Sequence, residues 1–148
     1  MSDLEFIVNT MKQERDAVGF IRNTTLQTQY IDNQRYIIQR NTHGIPVGYL
    51  LHGSLRPASL LSITQALIDV DRRNIGFGEQ SVISVIERAK QAQCRAIKVR
   101  CAEDLQSNGF WQALGFQRTA IEYPPNTRHR AIYVYTYDLW PLLFSHES

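Results

Sequence analysis

The run Leu61-Ser62-Ile63-Thr64-Gln65-Ala66-Leu67-Ile68-Asp69-Val70-Asp71-Arg72-Arg73-Asn74-Ile75-Gly76-Phe77-Gly78-Glu79-Gln80 decides how this chain is read. Its first part, residues 61–68, has no helical stripe and predicts a strand in a sheet buried largely on both faces. Past Gly78 the pattern changes: Val82, Val85, Ile86 and Ala89 recur at i, i+3, i+4 and i+7, one apolar stripe along a helix. Gln80, Ser84, Glu87, Arg88 and Gln91 occupy its other side. A strand that hands over to a helix through two glycines makes an anion-binding device. The first helical N–H groups have no partner within the helix, and the macrodipole adds positive character there. Glycine lets the main chain approach a phosphate closely and takes φ angles that other residues avoid.

Outward from this stretch, 148 residues suit one domain spanning 1–148. Apolar content of 43% and charged content of 20% describe an ordinary soluble globular chain. A net charge of +2 is too small to argue by itself for nucleic acid. Cys94 and Cys101 form neither a C-x-x-C pair nor a metal-ligand spacing, so no metal is expected, and they suit a reducing cytoplasm. The first residues lack the pattern of a signal peptide, and no apolar run approaches the ~18 residues of a membrane span.

Which anion the glycine loop takes is narrowed by what is missing. Ser81 stands where a dinucleotide fingerprint would place its third glycine, and Gly78-Glu79-Gln80 offers no P-loop lysine. Arg73, Gly76 and Gly78 do fit Q/R-x-x-G-x-G/A, the pyrophosphate loop of the GCN5-related N-acetyltransferases, the GNAT family. The alternative is a glycine turn joining any strand to any helix. Farther on, a short strand at 96–99 precedes Asp104-Leu105-Gln106-Ser107-Asn108-Gly109-Phe110-Trp111-Gln112-Ala113-Leu114-Gly115-Phe116. This resembles the family's later signature, N-x-x-A-x-x-F-Y-x-x-x-G-F. Phe110, Gly115 and Phe116 match, while Asp104 replaces the Asn, Ser107 the Ala and Trp111 the frequent Tyr. The resemblance covers residues 46–138.

The resemblance implies an α/β (α+β) fold: a mixed, mostly antiparallel sheet with helices on both faces and one splayed pair of parallel strands, 61–70 and 96–99. It implies acetyl-CoA as cofactor. Main-chain groups near Ile68 and Val70 would bond the pantetheine arm and face the thioester. The N–H groups of Asn74, Ile75, Gly76, Phe77 and Gly78, with Glu79 at the helix start, would cradle the pyrophosphate, and Arg73 would add charge. Asp104, Ser107 and Trp111 occupy family positions that approach the pantetheine. Solvated arginines in a turn are the alternative for Arg72 and Arg73, and an N-cap of the following helix is the alternative for Asp104.

Elsewhere, Asp3 can cap a first helix with Leu4, Ile7, Val8 and Met11 on one face. Thr24 and Gln27 have capping-box spacing for a second helix through Tyr30. Strands at 36–39 and 47–52 flank the turn Asn41-Thr42-His43-Gly44. The last two strands, 116–121 and 131–138, enclose residues 122–130, and Tyr133, Tyr135 and Tyr137 alternate onto one face. The tail from Trp140 to Phe144 is apolar enough to dock on this chain or on a second copy, as in a homodimer. By resemblance, Phe20, Arg22 and Tyr30 line the acceptor side, and Tyr123, Arg128 and Arg130 its rim. Plain packing by Phe20 and Tyr30 is the alternative.

The chemistry implied is N-acetylation of a small-molecule or peptide amine by direct attack on the thioester. The family's Tyr acid is Trp111 here, and its strand glutamate is Ser62 or Thr64. Ile68, through its main chain, Trp111 and Tyr123 are the catalytic candidates. A CoA-binding module without turnover is a second reading. A basic loop of Arg128, His129 and Arg130 contacting RNA or an acidic partner is a third, and a solvated hairpin tip is its alternative.

Overall fold

The computed structural model describes residues 2–13, 21–68, 76–105, 107–125 and 130–140. Among the described residues four helices and six strands follow one another: α1 (Asp3–Gln13), α2 (Asn23–Thr25, continued as a π-helix over Leu26–Ile31), β1 (Tyr36–Arg40), β2 (Pro46–His52), β3 (Leu60–Ile68), α3 (Phe77–Gln91), β4 (Ala96–Ala102), α4 (Ser107–Ala113), β5 (Gln117–Glu122) and β6 (Ile132–Asp138). The strands form one mixed sheet in the order β1-β2-β3-β4-β6-β5, with one parallel pair and the rest antiparallel. Contacts gather into two compact units interleaved along the sequence, Met1–Ser54 with Ile63–Val85, and Leu55–Ser62 with Ile86–Ser148.

In the first unit, α1 begins where Ser2 Oγ accepts the Glu5 N–H at 3.1 Å, so Ser2 is the cap rather than Asp3. The Asp3 carboxylate is engaged instead by Tyr36 Oη at 2.9 Å and by an Arg40 guanidinium nitrogen at 3.0 Å. The α1 stripe buries Phe6, Ile7 and Met11 against Leu26, Tyr49, Leu51 and Leu67. A fully buried Leu26 is expected to be worth about 2–5 kcal/mol against alanine, because the space it leaves would not close. The capping box expected of Thr24 and Gln27 does not form. The α2 helix starts at Asn23 with no side-chain cap, and Gln27 Nε2 donates to Asp32 Oδ1 at 2.6 Å. The helix then widens, and Asp32 N–H reaches back five residues to Gln27 O at 2.9 Å.

The hairpin β1–β2 pairs Tyr36 with Leu51 through Arg40 with Pro46, and its turn is built on Asn41, whose Oδ1 accepts from the N–H of His43 and Ile45. β2 pairs antiparallel with β3, Gly48 opposite Ile68. Along β3 the residues alternate: Leu61, Ile63, Gln65 and Leu67 are buried, while Ser62 and Thr64 are exposed. The expectation of burial on both faces is therefore corrected. Thr64 and Ser62 are polar because their face meets solvent, and period-two alternation is the signature of a half-buried strand.

In the second unit, β6 lies between β4 and β5, pairing antiparallel with each. Tyr135 and Val134, on its opposite faces, are both buried. The β4 strand runs longer than the expected 96–99, to Ala102, with Cys101 buried near its end. Where β3 begins, the Arg95 N–H donates to Ser59 O at 2.8 Å and the Ala58 N–H to Gln93 O at 2.8 Å, which sets the starts of β3 and β4 side by side. Leu139 is buried and Trp140 Nε1 donates to Cys94 O at 2.9 Å, so the start of the tail docks on this chain. Pro141 to Phe144 lie outside the described residues. Among the described residues no helix is long and apolar enough to cross a membrane.

Two helices end in the same way. After α4, the Phe116 N–H donates to Trp111 O at 3.1 Å and the Gly115 N–H to Gln112 O at 3.0 Å. This Schellman pairing requires a left-handed residue, supplied by Gly115 at φ +94°. Its apolar contact is made by Phe116 on Trp111, with ring centroids 5.2 Å apart. After α3 the same pair of bonds runs from Cys94 to Ala89 and from Gln93 to Lys90. There the left-handed position is Gln93, at φ +61°. A side chain at that φ costs roughly 1–2 kcal/mol, partly offset in glycine by its freer unfolded chain. Gln93→Gly is expected to stabilise the protein by about 0.5–1 kcal/mol, seen as a higher denaturation midpoint in urea. A lower midpoint would show that the exposed Gln93 side chain contributes a contact of its own.

Candidate functional site

In the first unit, the start of α3 has the form an anion requires. Gly76 stands at φ +84°, and its carbonyl accepts the Gln80 N–H at 3.0 Å, which makes Gly76 the N-cap. The N–H groups of Gly76, Phe77, Gly78 and Glu79 therefore have no carbonyl partner within the helix. No atom lies within 4 Å of where a Gly76 Cβ would sit, so glycine is required here by conformation and not by space. Glu79 is exposed in the first turn, where its charge suits the dipole. The helix start is held from β1. Gln39 Nε2 donates to Gln80 Oε1 at 3.0 Å, and the hydroxyl of Ser81 donates to Gln39 Oε1 at 3.2 Å. Val70, Arg73, Asn74 and Ile75 lie outside the described residues, and of Phe77 and Ile68 the main chain alone is described.

The exposed face of β3 carries a second feature of this unit. Tyr30, from the π-helical part of α2, donates its phenol hydrogen to Thr64 Oγ1 at 3.1 Å. Sequence reading reached Tyr30 but passed over Thr64 as a partner. The alternation of β3 was the signal that could have marked Thr64 as facing out. On the opposite face, buried Tyr49 donates to Gln65 Oε1 at 2.9 Å, and burial pushes the Tyr49 phenol well above its ordinary range. Arg22 is exposed just before α2. Phe20 lies outside the described residues.

In the second unit, the turn between β4 and α4 gathers several of the expected residues. The α4 helix starts at Ser107, three residues past Asp104, so Asp104 is not its N-cap. The Asp104 carboxylate accepts instead from Arg130 Nε at 2.8 Å, joining two residues expected to serve different ligands. Ser107 Oγ lies 3.1 Å from Cys101 Sγ. Burial raises the Cys101 thiol, while the Ser107 hydrogen bond and the Arg130 charge pull the other way. Trp111 is buried, its ring edge-on to Phe110 at 5.0 Å and to Phe116 at 5.2 Å. Tyr123 is 76% exposed, Tyr133 lies under the Arg118 guanidinium at 4.5 Å, and Tyr137 packs on Phe116. Arg128 lies outside the described residues. Asn108 was not singled out from the sequence, yet both ends of its side-chain amide are engaged. Its Nδ2 reaches the carbonyls of Leu105 at 2.7 Å, Ala102 at 2.9 Å and Glu103 at 3.3 Å, and its Oδ1 accepts from Tyr135 Oη at 2.8 Å.

The family model described as "Acetyltransferase (GNAT) family" matches residues 4–116. No curated protein sequence matches the chain. Among solved structures, Ard1 from Thermoplasma volcanium is similar over 92% of this chain and 90% of its own, with a TM-score of 0.77 and 13% identity. NAA60 of Arabidopsis thaliana, in complex with a bisubstrate analogue, is similar over 92% of each chain, with a TM-score of 0.75 and 13% identity. N-acetylglutamate synthase from Neisseria gonorrhoeae, complexed with coenzyme A and N-acetyl-glutamate, matches 94% of this chain but 33% of its own, with a TM-score of 0.75 and 14% identity. At such identities the likeness is one of fold.

If conformation alone requires Gly76, Gly76→Ala is expected to cost about 1–2 kcal/mol of stability and Gly76→Asn less, since asparagine tolerates left-handed φ. Urea denaturation of both variants measures this, and equal losses would point to a steric requirement instead.

Proposed function

Because the chain belongs to the acetyltransferase (GNAT) family, we propose that it is an enzyme transferring an acetyl group from acetyl-CoA to a primary amine of a small molecule or peptide. The start of α3 carries this reading. Gly76 turns the chain at φ +84° directly before Phe77, Gly78 and Glu79, and the R-x-x-G-x-G spacing lies on that helix start. Main-chain amides and a dipole suit a pyrophosphate, and no side chain at 75 or 77 is required for it. Arg73 adds charge to the same loop. Acetyl-CoA would supply the acetyl group as a thioester, activated for attack by an amine.

The chain's own residues divide the remaining work. The main chain at Ile68, at the end of β3, is the candidate oxyanion donor, which requires an N–H rather than a particular side chain. The Tyr30–Thr64 pair stands on the exposed face of β3, where the family's lysine-acetylating members place a glutamate. Two hydroxyls can orient an amine by hydrogen bonds but do not remove its proton as a carboxylate does. The acceptor therefore reaches the site neutral or loses its proton to water. Trp111 can donate through Nε1 but cannot titrate, and its burial between Phe110 and Phe116 supports a packing role over an acid's. Tyr123 or water remains to protonate the departing thiolate. Arg22, Arg130 and Arg128 are assigned to an acceptor bearing an anionic group beside its amine, with Arg130 already held by Asp104.

Two outcomes are expected. Gly78→Val, which places a branched side chain at the second helical position, is expected to stay folded and lose CoA binding at least tenfold by calorimetry. Unchanged affinity would sink the assignment of this loop. General acid–base groups contribute about 10²–10⁴-fold, so an enzyme relying on position and an oxyanion donor is expected to be slow. Its rate in a thiol-release assay over a panel of amines and peptides should rise with pH, following the acceptor amine. Trp111→Phe, which keeps an aromatic contact with Phe116, should change kcat less than about tenfold. A loss of several hundredfold with CoA affinity intact would place the indole in the chemistry. CoA binding without release of thiol on any amine would favour the binding module.

A further inference from the structure

The turn between β4 and α4 is fastened by one half-buried carboxamide, at a position that the family's motif leaves open. The motif's Asn position holds Asp104, an acceptor-only carboxylate already engaged by Arg130 Nε at 2.8 Å. Four residues on, Asn108 brings an amide donor to the turn itself. Asn108 Nδ2 lies 2.7 Å from Leu105 O, 2.9 Å from Ala102 O and 3.3 Å from Glu103 O, three carbonyls of the same turn. Its other arm is fixed too, since Oδ1 accepts the hydroxyl of Tyr135 at 2.8 Å. Tyr135 has no exposed surface, and burial raises its phenol, so the hydroxyl stays protonated as a donor. Every atom of the Asn108 amide thus has a task, and its orientation is set by Tyr135 on the neighbouring strand β6. Beside it, Ser107 Oγ touches Cys101 Sγ at 3.1 Å.

We propose that Asn108, oriented by Tyr135, is the positioning residue for the pantetheine-side turn of the acyl-donor site, acting through the turn's carbonyls and not by contact with the ligand. This rests on the acetyl-CoA reading above. The turn carries Asp104 and Ser107, two of the three positions that the resemblance directs toward the pantetheine. A turn whose carbonyls are tied to a side chain cannot drift, and a drift of about 1 Å can cost on the order of 10² in catalysis. The loop at Gly76 assigned to the pyrophosphate lies in another stretch of the sequence and supplies none of this amide's partners.

That separation supplies the test. Calorimetry on the full chain would compare CoA with 3′,5′-ADP, the fragment that lacks the pantetheine arm. Asn108→Ala and Asn108→Asp are expected to bind CoA at least tenfold more weakly and 3′,5′-ADP within twofold of wild type. Asn108→Asp keeps the acceptor for Tyr135 but has no donor for Ala102 and Leu105. If these variants do not fold, Tyr135→Phe, which leaves the donors but frees the orientation, is expected to show the same pattern at about threefold. Equal weakening of both ligands would mean a general structural role and would overturn the proposal, as would unchanged CoA affinity in the folded variants. A wild-type chain that binds neither ligand would overturn the acetyl-CoA reading itself.

Discussion

A helix leaves its first N–H groups without carbonyls behind them and its last carbonyls without amides ahead, and both sets must be met by something. In this chain α3 is treated differently at its two ends. At the C-terminal end the carbonyls of Ala89 and Lys90 are closed by Cys94 and Gln93. At the N-terminal end Gly76 turns the chain left-handed and supplies the first carbonyl. A cap with no side chain closes none of the amides that follow it with an oxygen of its own, in contrast to Ser2 at α1. The rest of the first unit holds that helix start in place. The Gln39 amide touches both Gln80 and Ser81, so β1 fixes the rotation of the first turns of α3.

The second unit ties the end of β4 with polar side chains. At the end of β4 the buried Tyr135 hydroxyl donates to half-buried Asn108, which offsets the cost of burying it, and buried Cys101 lies against exposed Ser107. Next to it the Schellman turn after α4 seats Phe116 on Trp111 and Tyr137 on Phe116. The G-F pair is thereby explained locally: glycine supplies the left-handed φ and phenylalanine the apolar contact that accompanies it. Exposed pairs contribute less. Arg100 and Glu122 meet at 2.8 Å, and the guanidinium holds the Glu122 carboxyl below its ordinary range, but both side chains stand largely in water.

Residues that read correctly from sequence did so because one local rule governed them. The stripe Val82, Val85, Ala89 is buried because a 3.6-residue period leaves it no other face. The glycine at 76 was legible because few other residues adopt φ +84° readily. Where two local choices competed, the sequence did not say which would win. Ser2 and Asp3 are both good caps; Asp3 was drawn off by Tyr36 and Arg40, which lie more than thirty positions away. Asp104 was likewise a plausible cap until Arg130 claimed its carboxylate.

By itself, then, the sequence determined the order of elements, the amphipathic helix after a glycine turn and the family, since spacing along the chain and a requirement for positive φ are local properties. Tertiary structure alone decided which polar side chains meet. Tyr30 with Thr64, Gln39 with Gln80, and Asn108 with Tyr135 are brought together by strand register and helix packing. No short-range pattern encodes those pairings, because the partners lie tens of residues apart and each residue has several equally good local alternatives.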